Sequence, residues 1–436
     1  MRTITTVTLP EVLDTVTLAE CVGSGNCLLF EHHAVQDKRL LTSFIGLRWR
    51  EVGAPGFADA MRSVAEAGAA DDDAVHLVLQ GVQTSGAVPL GRTWRADGFY
   101  VARMQEALEI DHVLRTVTHR CNGVPQLDAT GLQAALNSAL AVPPQHAPIA
   151  ALDAQAPWSR DIDEAGYCER VCATQRALQA LGVHGAVLSL LQTRSTTASP
   201  LAIYREMRRQ NPSTYGFSWT QGPLGLAGSS PLAFVEYADG VLQLETDAGT
   251  RPVTGDAERD AQVRADLLVN PKDAAEHRVV VDAELAALEP LAAGGRIDKV
   301  IDQQVRAFSH VMHLYTVLQA RLREGLGLAD AIVGLMPPAA VSGMPKGAAL
   351  HLGFDVDASP RGPYGGVIGL VRGAAHAQFA VIIRSLWLEG GVASTRTGGK
   401  IVPASVPEEE WREALVKARF IVESVERAER VMAAQQ

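Results

Sequence analysis

The sequence contains no apolar run of the roughly 20 residues needed to span a bilayer. Its first residues, Met-Arg-Thr-Ile-Thr-Thr, lack the charged-then-apolar layout of a signal peptide, so the expected location is the cytoplasm. A basic excess is also missing. The formal net charge of −10 argues against a nucleic-acid partner, which asks for a basic footprint, but not against a small anionic substrate held by local cations. Nor is there a disulfide framework, because Cys21, Cys27, Cys121, Cys168 and Cys172 are odd in number and irregular in spacing. Cys168 and Cys172 would share a helical face, yet no second Cys/His pair lies nearby, and both read as reduced bystanders. Internal repeats and low-complexity tracts are absent. What remains is an ordinary folded composition, 47% hydrophobic and 20% charged, in 436 residues. That length suits one large domain or two to three small ones.

The most punctuated stretch is 142–163, with Val-Pro-Pro-Gln-His-Ala-Pro and Ala-Pro-Trp, which predicts a linker or domain edge. Before it, residues 1–150 mix strands and helices, with strand-like runs at 75–80 and 98–102, and carry no recognisable chemistry. After it the pattern predicts helices over 167–181, 200–209, 270–288 and 305–324. Asn270-Pro271 is a good helix start, with Asn as the cap and Pro in the first position. Strands are predicted from 185, over 224–250 with a turn at Ala238-Asp239-Gly240, and over 365–371, 379–388 and 391–396. A last helix starts with Ser405 and Glu408 in capping-box spacing. Turn-separated strands without regular βαβ units point to an α/β chain of the α+β kind with antiparallel pairing.

Several side chains are spaced for chemistry. Glu410, Glu413 and Lys417 form one stripe on the last helix, beside an apolar stripe of Trp411, Leu415, Ala418, Val422 and Val425. Asp273 and Glu276 form a second acidic pair. Taken alone, acids in a first helical turn are accounted for by the helix dipole. Arg384, flanked by Ile383 and Leu386, is suited to bidentate carboxylate binding.

Nine motifs keep a fixed order: Gly-Ser-Ser-Pro (228–231), Ala-Gly-Thr-Arg-Pro (248–252), Lys-Asp-Ala-Ala-Glu-His (272–277), Phe-Ser-His-Val-Met-His-Leu (308–314), Val-Ser-Gly-Met-Pro-Lys (341–346), Arg-Gly-Pro-Tyr-Gly-Gly-Val (361–367), Ile-Arg-Ser (383–385), Gly-Gly-Lys-Ile-Val (398–402) and Pro-Glu-Glu-Glu-Trp-Arg-Glu (407–413). Over residues 165–425 this set resembles the chorismate-utilising family of anthranilate, aminodeoxychorismate, isochorismate and salicylate synthases. The resemblance implies two large, mostly antiparallel sheets flanked by helices, with residues 1–150 as the N-terminal part of the same fold. It implies a Mg2+ ion bracketed by Asp273, Glu276, Glu410 and Glu413, gripping the substrate's ring carboxylate. Oxygen ligands suit that ion. It further implies substrate contacts from Thr250, Tyr364, Arg384, Gly398, Gly399, Lys400 and Lys417, and His313 at the reacting edge of the ring. Tyr364 and Arg384 match the grip on the enolpyruvyl carboxylate, and Gly398-Gly399 match a turn whose amides hold the ring carboxylate. An ammonia-using member would need a glutamine amidotransferase partner.

The chain departs from this pattern in four places. Leu232 stands where the family's acid, the Glu of Ser-Pro-Glu, would protonate the leaving 4-hydroxyl. Gly185 stands where water-activating members carry a lysine. Asp273 replaces the usual Glu, and Lys400 a glycine, which would be strained if the turn needs positive φ. Losing a general acid typically costs about 10²–10⁴-fold. Three readings follow: relocated acid–base groups, a pericyclic pyruvate elimination that needs neither group, or a chorismate-binding paralogue without catalysis. Ser309-His-Val-Met-His-Leu is closer to the anthranilate type and Ala340-Val341 to the isochorismate type.

Overall fold

The computed structural model describes residues 2–434 except 11–12, 24, 35–38, 82–97, 142–157 and 308–310. Most of the expected linker therefore lies outside the described residues. Helices at 164–181, 200–210 and 271–288 answer those expected over 167–181, 200–209 and 270–288, the last from its Asn270-Pro271 start. Asp163 caps the first through Gly166 N–H at 2.9 Å, and Ser199 the second through Ala202 N–H at 3.1 Å.

Every strand ladder among the described residues is antiparallel. The strand Phe99–Asp111 is the junction of two arms. One arm runs Leu40–Glu51, Cys27–His33, Tyr215–Gln221, Leu224–Ser230, Ser385–Glu389, Val392–Ile401, Gly185–Ser195. The other runs Val75–Gln80, Val367–Arg372, His376–Val381, Ala233–Ala238, Val241–Pro252, Val311–Arg321, Asp298–Ala307. The two expected sheets are thus joined into one hydrogen-bonded network through a shared strand. The N-terminal strand Cys27–His33 is stitched directly to Tyr215–Gln221.

Twice the chain crosses from one arm to the other next to the cleft described below. Pro231-Leu232 links Leu224–Ser230 to Ala233–Ala238, and Ile382-Ile383-Arg384 links His376–Val381 to Ser385–Glu389. The continuous strand expected over 379–388 is therefore broken where it changes arms. Arg384 sits at the break with φ 51°, a left-handed conformation costly for a residue with a Cβ.

Two further expectations fail. The helix expected over 305–324 is not found among the described residues; 305–307 end the strand Asp298–Ala307, and 311–321 form the strand Val311–Arg321. Good helix formers such as Leu, Gln, Ala and Arg fill this stretch, but Met312, Leu314, Thr316, Leu318 and Ala320 are buried on alternate positions, the period of a strand. The capping box at Ser405 does not form as expected. The Ser405 hydroxyl accepts the Val402 N–H at 3.1 Å, and the last helix runs Pro407–Ala434. That helix buries Trp411, Ala414, Ala418, Ile421 and Val425, while Leu415 and Val422 are half-buried at the edge of the stripe. No helix among the described residues is long and apolar enough to cross a membrane. The cysteines are free thiols.

Candidate functional site

A cleft of about 1070 Å³ opens at the seam of the two arms. Asp273, His313, Tyr364, Arg384, Gly398, Gly399, Lys400, Glu410, Glu413 and Lys417 all line it, as does Leu232. The side chains of Thr250 and Glu276 lie outside the described residues.

The glycines do not form a turn. Gly398, Gly399 and Lys400 lie within the strand Val392–Ile401, paired with Ser189, Leu188 and Val187, and Lys400 has no positive φ. The strain expected at Lys400 is therefore absent, and the glycines serve another need. A Cβ on Gly398 would lie 1.9 Å from the Leu188 carbonyl oxygen. One on Gly399 would lie 2.7 Å from Glu410 Oε2 and 3.2 Å from Glu413 Oε1. Glycine lets the acidic face of the last helix settle on the strand. The Thr397 hydroxyl, donating to the Ala414 carbonyl at 2.8 Å, fixes that contact. Lys417 completes it, donating to the Gly398 carbonyl at 2.8 Å and to Glu413.

On the other wall a bulge at Gly249, φ 73°, interrupts the pairing of Val241–Pro252 with Val311–Arg321. It turns the Gly249 carbonyl toward His313, 3.2 Å from Nδ1. A carbonyl only accepts, so Nδ1 carries the proton and Nε2 of the neutral ring is unprotonated. Burial holds the His313 pKa down at about 4; the Gly249 bond opposes this, and Lys417 and Arg384 add to it. The imidazole is therefore neutral at physiological pH. Glu413 is 44% exposed along its side chain. Partial desolvation pushes its carboxyl up, but Lys417, then Arg384 and His313, hold it below the usual range.

Tyr364 is buried, and burial raises its hydroxyl pKa, so it remains a donor. Arg384 donates to the Lys417 carbonyl at 3.4 Å and lies over the Phe420 ring. Burial lowers its pKa from the ordinary arginine value, opposed by Glu413 and Tyr364.

The metal ligands implied by the resemblance fare differently. Glu410 and Glu413 offer carboxylate oxygens on one side of Gly399, the ligand type that magnesium takes, and Glu413 also accepts from Lys417. Asp273 does not fit as it stands. Arg251 donates to both its oxygens, at 3.0 Å through Nη1 and also through Nη2. Among the described residues no group of three or more His, Cys, Asp or Glu side chains is placed to hold a metal ion.

Leu232 is buried in a cluster with Val341, against which Ala340 and Ile383 pack, so this wall of the cleft is hydrocarbon. Glu236 does not reach it. Its carboxylate accepts the Tyr215 hydroxyl, with the Gln243 amide at 3.4 Å.

Sequence reasoning missed Arg251 and the buried network beneath the floor. Asp357 accepts Arg361 Nε at 2.6 Å, Ser189 N–H at 2.8 Å and Ser189 Oγ–H at 3.0 Å. Arg361 also donates to the Val187 carbonyl at 2.6 Å, and Arg396, which lines the cleft, to the Ser189 carbonyl at 3.2 Å. The network ties the segment bearing Tyr364 to both strands of the floor. Arg361 opens the motif at 361–367, but neither Asp357 nor Arg396 falls in any of the nine motifs.

The family model described as chorismate binding enzyme matches residues 74–423. The chain belongs to this chorismate-binding family. Anthranilate synthase component 1 of Streptomyces coelicolor is 32% identical over 273 residues, covering 62% of this chain and 53% of that protein. The Thermus thermophilus anthranilate synthase component 1 is 32% identical over 275 residues, covering 63% and 60%. The aligned part of this chorismate-binding chain thus spans a little over half the length of these relatives. In fold, it is similar to the menaquinone-specific isochorismate synthase of Escherichia coli, with TM-score 0.77, 18% identity and coverage of 98% and 94%. It is also similar to anthranilate synthase component I of Streptococcus pneumoniae, with TM-score 0.64, 21% identity and coverage of 96% and 92%.

Burial gives the chain a pH signature. His33, His76, His277 and His313 all have pKa values pushed down to about 4, burial being the leading cause in each. A histidine held neutral in the fold but protonated when unfolded contributes stability above about pH 6.5 that is lost on acidification toward pH 4. Stability should fall by on the order of several kcal/mol between pH 6.5 and 4. Urea titrations across that range check this, and a flat profile would contradict it.

Proposed function

We propose that the chain is a magnesium-dependent, cytoplasmic enzyme acting on chorismate or a close relative, such as isochorismate or an amino-deoxy analogue. The reaction is substitution at ring C2, elimination of pyruvate, or both. The observation that carries this reading is the meeting of Tyr364, Arg384, Lys417, His313, Glu410 and Glu413 around one cleft. Arg384 and Tyr364 offer bidentate and hydroxyl donors to the enolpyruvyl carboxylate. The Gly398-Gly399 backbone and Lys417 face the ring carboxylate. Glu410 and Glu413, with Glu276 by resemblance, would hold the magnesium ion, which supplies positive charge against that carboxylate. Asp273 would join them only after giving up Arg251. The unprotonated Nε2 of His313 accepts a hydrogen bond or a proton at the ring edge.

The hydrocarbon wall at Leu232 favours elimination. A pericyclic loss of pyruvate requires a bound geometry and charge stabilisation, not an acid at the 4-hydroxyl. The same wall supports a second reading, a chorismate-binding paralogue without turnover. A C2 substitution with ammonia would draw on a glutamine amidotransferase subunit.

Mass-spectrometric product analysis separates these. The purified chain is incubated with magnesium and, in turn, chorismate, isochorismate, and chorismate with ammonium. Elimination predicts released pyruvate from isochorismate. Binding without any product supports the paralogue reading.

A further inference from the structure

We propose that Gly185 and Lys400 act as one unit. The missing side chain at 185 lays the Lys400 stem along the cleft, and the Lys400 ammonium is the third cation, after Arg384 and Lys417, to meet a dianionic ligand. The ligand role rests on the substrate reading above; the packing does not.

Lys400 pairs across the ladder with Val187, yet its stem lies over Gly185. A Cβ built on Gly185 would lie 3.2 Å from Lys400 Cγ and 3.3 Å from Cδ, inside the ordinary carbon–carbon contact of about 3.5–4.0 Å. A side chain at 185 and the Lys400 stem therefore compete for one space. The backbone at 185 has no room to retreat. It pairs with Met344 on its other side, and Gly343, with φ 129°, approaches so closely that its own Cβ would lie 1.9 Å from the Gly185 carbonyl oxygen. If residue 185 gains a side chain, Lys400 must move.

Lys400 lines the cleft together with Asp273, which the helix Pro271–Leu288 carries into it. Arg384 and Lys417 line the same cleft, and Lys400 stands on the strand Val392–Ile401 two residues from Gly398, whose carbonyl accepts from Lys417. A ligand carrying two carboxylates gains from this arrangement and a monocarboxylate gains less. Confining the long lysine stem against the glycine backbone removes rotamers before binding, which lowers the entropy cost of the contact.

The test is a double-mutant cycle over wild type, Gly185→Ala, Lys400→Ala and the double variant. Calorimetry gives the Kd for chorismate and for benzoate, and thermal unfolding gives Tm. Lys400→Ala should weaken chorismate about 10-fold or more and benzoate less. Gly185→Ala should weaken chorismate and lower Tm in the wild-type background but do neither once Lys400 is alanine. Equal costs of Gly185→Ala in both backgrounds, or chorismate bound undiminished by Lys400→Ala, would overturn the proposal. A wild type that binds no chorismate overturns the substrate reading and the ligand role with it. The Tm cycle on the same four proteins then still decides whether 185 and 400 share one space.

Discussion

Replacing Asp357 with alanine is expected to cost about 3–5 kcal/mol of folding stability. Asp357 faces two guanidinium groups, Arg361 at 2.6 Å and Arg396 at 3.9 Å, and both arginines are 1% exposed. Burial lowers the Arg396 pKa, and Asp357 is the leading influence opposing that shift. Without the carboxylate, two buried cations keep their charge; Arg361 loses its counter-ion, Arg396 is left with Asp161 at 3.4 Å, and the Ser189 N–H loses its acceptor. Asp357→Asn keeps the shape and one acceptor oxygen and should cost less. Urea unfolding of both variants measures this. A change below about 1 kcal/mol for the alanine variant would show that the network is solvated and does not brace the floor.

Replacing Arg384 with alanine is expected to weaken chorismate binding about 100-fold while changing stability little, because alanine keeps the Cβ and with it the backbone cost. At φ 51° Arg384 occupies a conformation that disfavours any side chain, and it does so where the chain changes arms beside the cleft. Arg384→Gly should relieve that strain, so the glycine variant should be the more stable and yet bind as poorly. Arg384→Lys keeps the charge but not the planar fork and should recover only part of the affinity. Calorimetric Kd values beside urea midpoints for the three variants check this. Affinity retained by the alanine variant would remove Arg384 from the substrate grip.

Much of the site is legible in the sequence because motif order survives without knowledge of the fold. Tyr364, Arg384, Gly398, Glu413 and Lys417 are far apart in the chain and meet in one cleft. Helices announced by local chemistry, such as the Asn270-Pro271 start, also form where expected. The failures share one physical origin, which is that tertiary pairing overrides local preference. Val311–Arg321 is built of helix formers but is held as a strand by ladders on both sides. The break at 382–384 follows from a change of arm that no residue pattern near it records. The resemblance implies a turn at Gly398-Gly399, whereas the structure has a strand there, and the glycines admit the close approach of Leu188 on one side and Glu410 on the other. Arg251 was invisible as the partner of Asp273 because the pairing joins a strand to a helix 22 residues away.

The most direct test is a calorimetric titration of chorismate into the chain, run with and without magnesium. Saturable binding at one site per chain, stronger with magnesium and lost in Glu413→Ala, is the predicted result. Absence of binding in magnesium, or an affinity indifferent to both the ion and Glu413, would contradict the assignment of this cleft as the chorismate site.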